Sequence, residues 1–399
     1  MPHQPPALLT MIRELIAIPS VSSVNPRFDQ GNRVLIERLA QWLDDLGFAV
    51  EIQPLPGQPY KANLIATLGS GPGGLVLSGH TDTVPYDEGR WRHDPFAAVV
   101  EHERIYGLGA ADMKSFLAIA VEAVRGLRAA DLKQPLVILA TADEESSMAG
   151  AQALVEAGRP LGRFAVIGEP TGLRPVRMHK GIMMEAIRLT GRSGHSSNPA
   201  LGVSALEGMH TVIGELLAWR QELAARYRNP LFAVAIPTLN LGHIHGGDNP
   251  NRICAECELH IDIRPLPGML LGELREALHT RLARVLEGRG LQLAITPLFG
   301  GLEAMETPAD SPIVRAAEAL TGHSAGAVAF GTEGPYLRQM GLETVILGPG
   351  HIDQAHQPDE YLELAMLAPA LRLLRELLWR FCLTPAETRP PHTESHHGQ

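Results

Sequence analysis

Short apolar runs alternating with helical stretches constrain this chain more than any other feature. The runs Asn63–Leu68, Leu75–Ser78, Pro135–Ala140 and Phe164–Ile167 are too short for helices and carry no polar alternation. Between them Ser115–Leu127 reads as a helix. Before them Leu35, Leu39, Leu43 and Leu46 stripe another, which Gly47 ends. Strands that are apolar on both faces, alternating with helices, predict an α/β domain around a mostly parallel sheet with both faces covered.

Near Gly181 the pattern changes. Strand (Met183–Leu189), helix (Val203–Arg226), strand (Leu231–Ile244), strand (Arg252–Ile263), helix (Leu271–Glu287) and strand (Leu291–Pro297) follow one another. The order βαββαβ predicts a ferredoxin-like sandwich. After Gly301 the first texture returns, with a helix at Ile313–Leu320, a strand at Glu343–Leu347 and a helix at Ala365–Phe381. Residues 1–180 and 301–384 are therefore expected to form one α/β domain, interrupted by a smaller domain at 181–300. Residues 385–399 are nearly devoid of apolar side chains and read as a disordered tail. A length of 399 residues suits two such domains.

Composition excludes several classes. A net charge of −10 disfavours nucleic acid and anionic membrane surfaces as partners. The start of the chain lacks the pattern of a cleaved leader, and no apolar run reaches the ~18 residues of a membrane span. Three cysteines cannot build a disulfide framework, so a cytoplasmic location is expected. Cys254 and Cys257 form a CxxC without a second pair and read as strand packing residues. Gly69, Gly71 and Gly74 have the spacing of a dinucleotide loop, but a strand rather than a helix follows them, which removes that reading.

Chemistry in open α/β sheets sits at the carboxyl ends of strands. Here those ends are acidic or imidazole-bearing. LVLSGH ends in His80, with Asp82 two residues on; VILATADEE ends in Asp143, Glu144 and Glu145; FAVIGEP ends in Glu169. Asp112 precedes the helix near Lys114, and a late loop offers His351 and His356. One such carboxylate would be a helix cap and one such histidine a solvated loop residue. So many acids on one rim repel one another unless cations lie between them. The set suits a pair of zinc-like ions sharing a ligand.

The segments SGHTDTVP, LGAADMK, TADEESSMAG, IGEP, GRSGHSS and LGPGHIDQAHQPDEY resemble the co-catalytic zinc metallohydrolases that include aminoacylases, glutamate-type carboxypeptidases and desuccinylases. The resemblance runs from about Leu8 to Cys382. It implies that His80 and Glu169 bind one ion, that Glu145 and His356 bind the other, and that Asp112 bridges them. Asp82 would hold the His80 imidazole from behind, and Glu144 would be the general base. The ions would be two divalent metals per chain, zinc or cobalt. His195, in GRSGHSS, would stabilise an oxyanion across the interface of a homodimer joined through the inserted domain, which would serve as both lid and dimerisation domain. Asn251 and Arg264 would contact the substrate carboxylate, and Gly331 and Thr332 would line the site through their backbone. The implied reaction removes an acyl group from the α-nitrogen of an amino acid, with Nα-acetyl-L-ornithine the favoured substrate. Other acyl-amino acids, a succinylated diaminopimelate and dipeptides are rivals within the family, and a non-catalytic amino-acid or peptide binder is the rival outside it.

Overall fold

The computed structural model describes residues 4–383; the expected tail at 385–399 lies outside them. The chain divides into two compact units. The first holds the chain up to Asp143, Glu156–Leu173 and the stretch from Gly348 onward; the second holds Glu144–Val155 and Arg174–Leu347.

The first unit contains five neighbouring strands in the order Ala49–Leu55, Gln58–Leu68, Leu136–Thr141, Leu75–His80 and Phe164–Pro170. The last three are parallel and every residue in them is buried, as their unbroken apolar runs require. The first two are antiparallel additions joined at Pro56 and Gly57, with Gly57 in the left-handed region. Ala49–Leu55 alternates with solvent rather than running apolar, so the sequence pattern does not announce it. Gly69, Gly71 and Gly74 all have positive φ and turn the chain from one strand directly into the next.

One packing contact places the site. The helix Lys114–Ala123 is buried along nearly its whole length, against the sheet and against the helices Leu8–Ile16 and Leu367–Leu378. It reaches the sheet only because glycines face it. A Cβ on Gly79 would lie 2.7 Å from the Met113 side chain, and one on Gly168 only 2.0 Å from the Phe116 ring. These two glycines directly precede His80 and Glu169, and the helix starts two residues after Asp112. Three separate chain segments therefore converge at one edge.

The second unit carries the βαββαβ arrangement. Its antiparallel sheet runs in the order Thr238–Gly246, Glu256–Arg264, Met183–Thr190 and Gln292–Pro297. The helices Ala205–Arg226 and Leu271–Leu286 bury Met209, Val212, Leu278 and Leu282 against alternate residues of the sheet, among them Leu189, Leu259 and Ile261. Ser204 caps the first helix by accepting from the Glu207 N–H at 3.2 Å. The strand expected from Leu231 begins at Thr238 instead. Pro230 and Pro237 interrupt that stretch, and a proline offers no N–H to a ladder. The same unit contains Val176–His179 paired with Met305–Glu306, Gly326–Val328 and Glu343–Gly348. Cys257 is buried in its strand, whereas Cys254 lies before the strand and is partly exposed; both are free thiols. Among the described residues no helix is long and apolar enough to cross a membrane.

Candidate metal centre

His80 closes a central strand and is 1% exposed. Its Nδ1 lies 2.9 Å from the backbone carbonyl oxygen of Asp82, while the Asp82 carboxylate stands at 3.8 Å. The nearer contact is thus to the main chain. Donation from Nδ1–H to that carbonyl leaves the Nε2 lone pair for a metal. Nε2 faces two carboxylates: Asp112 Oδ1 at 2.9 Å and Glu169 Oε1 at 3.8 Å. The second oxygen of Asp112 lies 3.5 Å from Nε2 of His356. One carboxylate therefore turns one oxygen to each imidazole, as a bridging ligand would.

Asp112 and Glu169 are buried, while the His356 side chain is half exposed on a backbone of positive φ (59°). Burial alone would raise the Asp112 pKa; the His356 and His80 imidazoles beside it outweigh that and hold the carboxyl well below the usual range. The Asp112 carboxylate is therefore anionic. Two imidazoles and two buried carboxylates form the mixed N/O donor set that zinc-like ions take. Among the described residues His80 belongs to each group of side chains close enough to hold an ion, with Glu169 in one and Asp112 in the other. The residues present fit a metal.

Glu144 and Glu145 follow directly on Asp143, at the start of the second unit. The approach to them is firmly held. The ladder pairs His80 with Thr141, and the Thr81 N–H donates to the Thr141 carbonyl at 3.0 Å. Asp143 turns the chain with a φ of 59°. Its carboxylate accepts from Lys61 Nζ at 2.6 Å and from Ser22 Oγ at 2.9 Å. Lys61 also donates to Asp29 at 2.7 Å. Burial would lower the Lys61 pKa, but the bonds to Asp143 and Asp29 raise it above the ordinary value. The sequence reading passed over Lys61; its one signal is a charge heading the apolar run KANLIATL.

Glu360, also missed, is buried and accepts from the backbone N–H groups of Gly109, Ala111 and Asp112. Burial pushes its carboxyl up to about 8, against the pull of those three donors. Lys114 is buried, with Nζ donating to the Ile18 carbonyl at 2.7 Å, and burial lowers it to about 7. His351 is exposed and bridges to Thr171.

The remaining predicted residues belong to the second unit. His195 is exposed, and its Nδ1 accepts from the Ser197 N–H at 3.2 Å, which leaves Nε2–H as a donor. The strand-like bridge from His195 to Arg252, and the Ser196 N–H donating to the Asn251 carbonyl at 3.1 Å, bring these loops side by side. Arg264 Nε donates to both oxygens of Asp262 at 3.0 Å. Gly331 has no room for a side chain, since a Cβ there would lie 2.4 Å from Leu302. Thr332 is fully buried and its hydroxyl accepts from the Gly334 N–H at the start of a short helix.

Residues 76–380 match peptidase family M20/M25/M40. An acetylornithine deacetylase of Edwardsiella ictaluri (strain 93-146) is 50% identical over 379 residues, 95% of this chain and 99% of that one. An M20 family metallo-carboxypeptidase from Sulfolobus solfataricus superposes with a TM-score of 0.73 at 18% identity, over 94% of this chain and 99% of that one. A dinuclear metal-binding peptidase of the M20 family from Bacillus subtilis gives 0.67 at 17% identity, over 93% and 96%. The last two are likenesses of fold.

Proposed function

The chain belongs to peptidase family M20/M25/M40, and on that footing we propose that it hydrolyses Nα-acetyl-L-ornithine to L-ornithine and acetate, a step of arginine biosynthesis. The observation that carries this reading is the 50% identity to a deacetylase of that substrate, sustained over 95% of this chain and 99% of the relative. The pairing of His80, Asp112, Glu169 and His356 supports the chemistry.

His80 and Glu169 would hold one ion, Glu145 and His356 the other, and Asp112 both; zinc is the metal proposed, with cobalt suited to the same donors. Bound there, the ions supply positive charge that polarises the amide carbonyl and acidifies water. Glu144 takes a proton from the attacking water and delivers it to the α-nitrogen as the C–N bond breaks. The water oxygen leaves in the acetate. The Nε2–H of His195, from the partner of a cytoplasmic homodimer joined through residues 181–300, donates to the carbonyl oxygen as charge develops on it. Asp82 fixes the His80 imidazole through its backbone carbonyl. Arg264 and Asn251 hold the substrate carboxylate, and Gly331 and Thr332 line the site with backbone.

The test is a release assay across acetylated and succinylated ornithine, lysine, methionine and diaminopimelate, with and without chelator. Acetylornithine should turn over fastest and chelation should abolish turnover. Faster release from a succinylated substrate would reassign the reaction, and turnover by metal-stripped protein would remove the mechanism.

A further inference from the structure

The loop that delivers Asp112 is held from outside itself. Both Glu360 oxygens accept from it: Oε2 from the Gly109 N–H at 3.0 Å, Oε1 from the Ala111 N–H at 2.8 Å and the Asp112 N–H at 3.0 Å. The Glu360 carbonyl adds a fourth bond, accepting from the Gly107 N–H at 3.0 Å. Successive backbone N–H groups pointing inward make a concavity that binds an anion. Here the concavity is filled by a side-chain carboxyl of the protein. Glu360 is 2% exposed, so water does not compete for those donors. Gly109 has a φ of 85°, and a Cβ on it would lie 2.9 Å from the Lys114 side chain.

Glu360 lies four residues after His356, and its own segment is fixed. Tyr361–Glu363 pairs with Arg104–Tyr106, which leads into the same loop. The Asp359 carboxylate accepts from the Arg92 N–H at 2.8 Å. One stretch of chain thus presents His356 and also clamps the backbone of Asp112, whose two oxygens face His80 and His356. The Asp112 backbone nitrogen is thus pinned while its carboxylate faces both imidazoles.

The geometry points to Glu360 as a positioning residue that couples the two metal positions: it fixes the Asp112 bridge to the segment carrying His356. This rests on the two-ion reading of the site. The bonds of Glu360 go to backbone N–H groups, so its loss acts on how well the Asp112 loop is placed. Glu360→Gln keeps the volume and one acceptor oxygen, but turns an amide N–H₂ toward backbone donors. Glu360→Ala removes the clamp.

The experiment titrates zinc into the metal-stripped full chain, as wild type, Glu360→Gln and Glu360→Ala, by competition with a chromophoric chelator. Amide hydrogen exchange is followed on the metal-free proteins. Zinc affinity should fall by about 10–100-fold in Glu360→Gln, and exchange at Gly109, Ala111 and Asp112 should accelerate while the strands Leu75–His80 and Leu136–Thr141 keep their protection. Wild-type affinity for both ions in Glu360→Gln overturns the proposal. So does weakened binding with unchanged exchange at those three amides. Should Glu360→Ala not fold, Glu360→Gln decides alone. Failure of wild type to take up two ions refutes the metal reading instead, and the exchange measurement still reports whether Glu360 clamps the loop.

Discussion

His80 and His195 are both candidate site histidines, and their surroundings are opposite. His80 is 1% exposed, at the end of an all-buried strand, with one nitrogen on a backbone carbonyl and the other facing buried carboxylates. His195 is exposed on a loop, tied to its neighbour Ser197 and paired by a single bridge to Arg252. The first unit places His80, Asp112 and Glu169 by packing: the segment 113–116 sits against Gly79 and Gly168, where an added Cβ would lie 2.7 and 2.0 Å from Met113 and Phe116. In the second unit His195 and Asn251 stand on exposed loops, where a local fold can present a donor and something else must complete the site. Residues of the first kind should fail when mutated whatever the partner does. His195, of the second kind, should be rescuable in trans.

The largest effects should come from Asp112 and Glu144. Asp112→Ala removes an anion shared by two imidazoles and should reduce turnover to background together with metal content, measured by elemental analysis. Glu144→Ala should instead keep its metal and lose about 10²–10⁴-fold in kcat, the usual worth of a general base. Loss of metal from the Glu144 variant would show that Glu144 and Glu145 have been given each other's roles.

His195→Ala should cost on the order of 10²–10³-fold, the range for an oxyanion donor, without altering metal content. Mixing it with Glu144→Ala chains then tests the contrast directly. A mixed dimer holds one site with an intact Glu144 that receives His195 from the other chain, so part of the activity should return. If heterodimers form and nothing returns, His195 acts within its own chain or not at all.

How much could be read beforehand follows the same division. The strands that lead to His80, Glu144, Glu145 and Glu169 were legible because apolar runs announce buried strands, and the charges that follow them stand out. Glu360 and Lys61 were not, because their importance lies in bonds to backbone N–H groups and to Asp143, which no periodicity records. Ala49–Leu55 was missed as a strand that half faces solvent. The strand start at Leu231 was misplaced because apolar residues hid the effect of Pro237. The substrate contacts were legible only through resemblance: nothing in the letters distinguishes Arg264, which holds Asp262, from any strand arginine.

Acid should weaken the second unit through His179. Burial lowers its pKa to about 4 from an ordinary 6.5. The unfolded chain takes a proton below pH 6.5, and the folded chain resists until about 4. Stability is therefore complete above 6.5 and is lost as pH falls through that window, by roughly 3 kcal/mol. In urea unfolding at pH 7 and pH 4.5, His179→Leu should lose less between the two conditions than wild type does. An equal loss would place the acid sensitivity elsewhere.

The smallest effects separate the two kinds of packing at single glycines. A Cβ on Gly168 meets the Phe116 ring at 2.0–2.2 Å, closer than any real contact. Rings in a packed core cannot retreat freely, so Gly168→Ala should cost about 1–3 kcal/mol and should weaken zinc uptake, because Glu169 is the next residue. Gly214, inside the helix Ala205–Arg226 of the second unit, faces open space, with nothing within 4 Å of an added Cβ. There Gly214→Ala removes only backbone freedom from the unfolded chain and should stabilise by roughly 0.5–1 kcal/mol, with metal content and turnover unchanged. Denaturant midpoints and zinc titrations on the two variants supply the comparison. If Gly168→Ala is neutral in both measurements, close approach of helix to sheet does not set the metal centre. The ligands of the first unit are then held by their own loops.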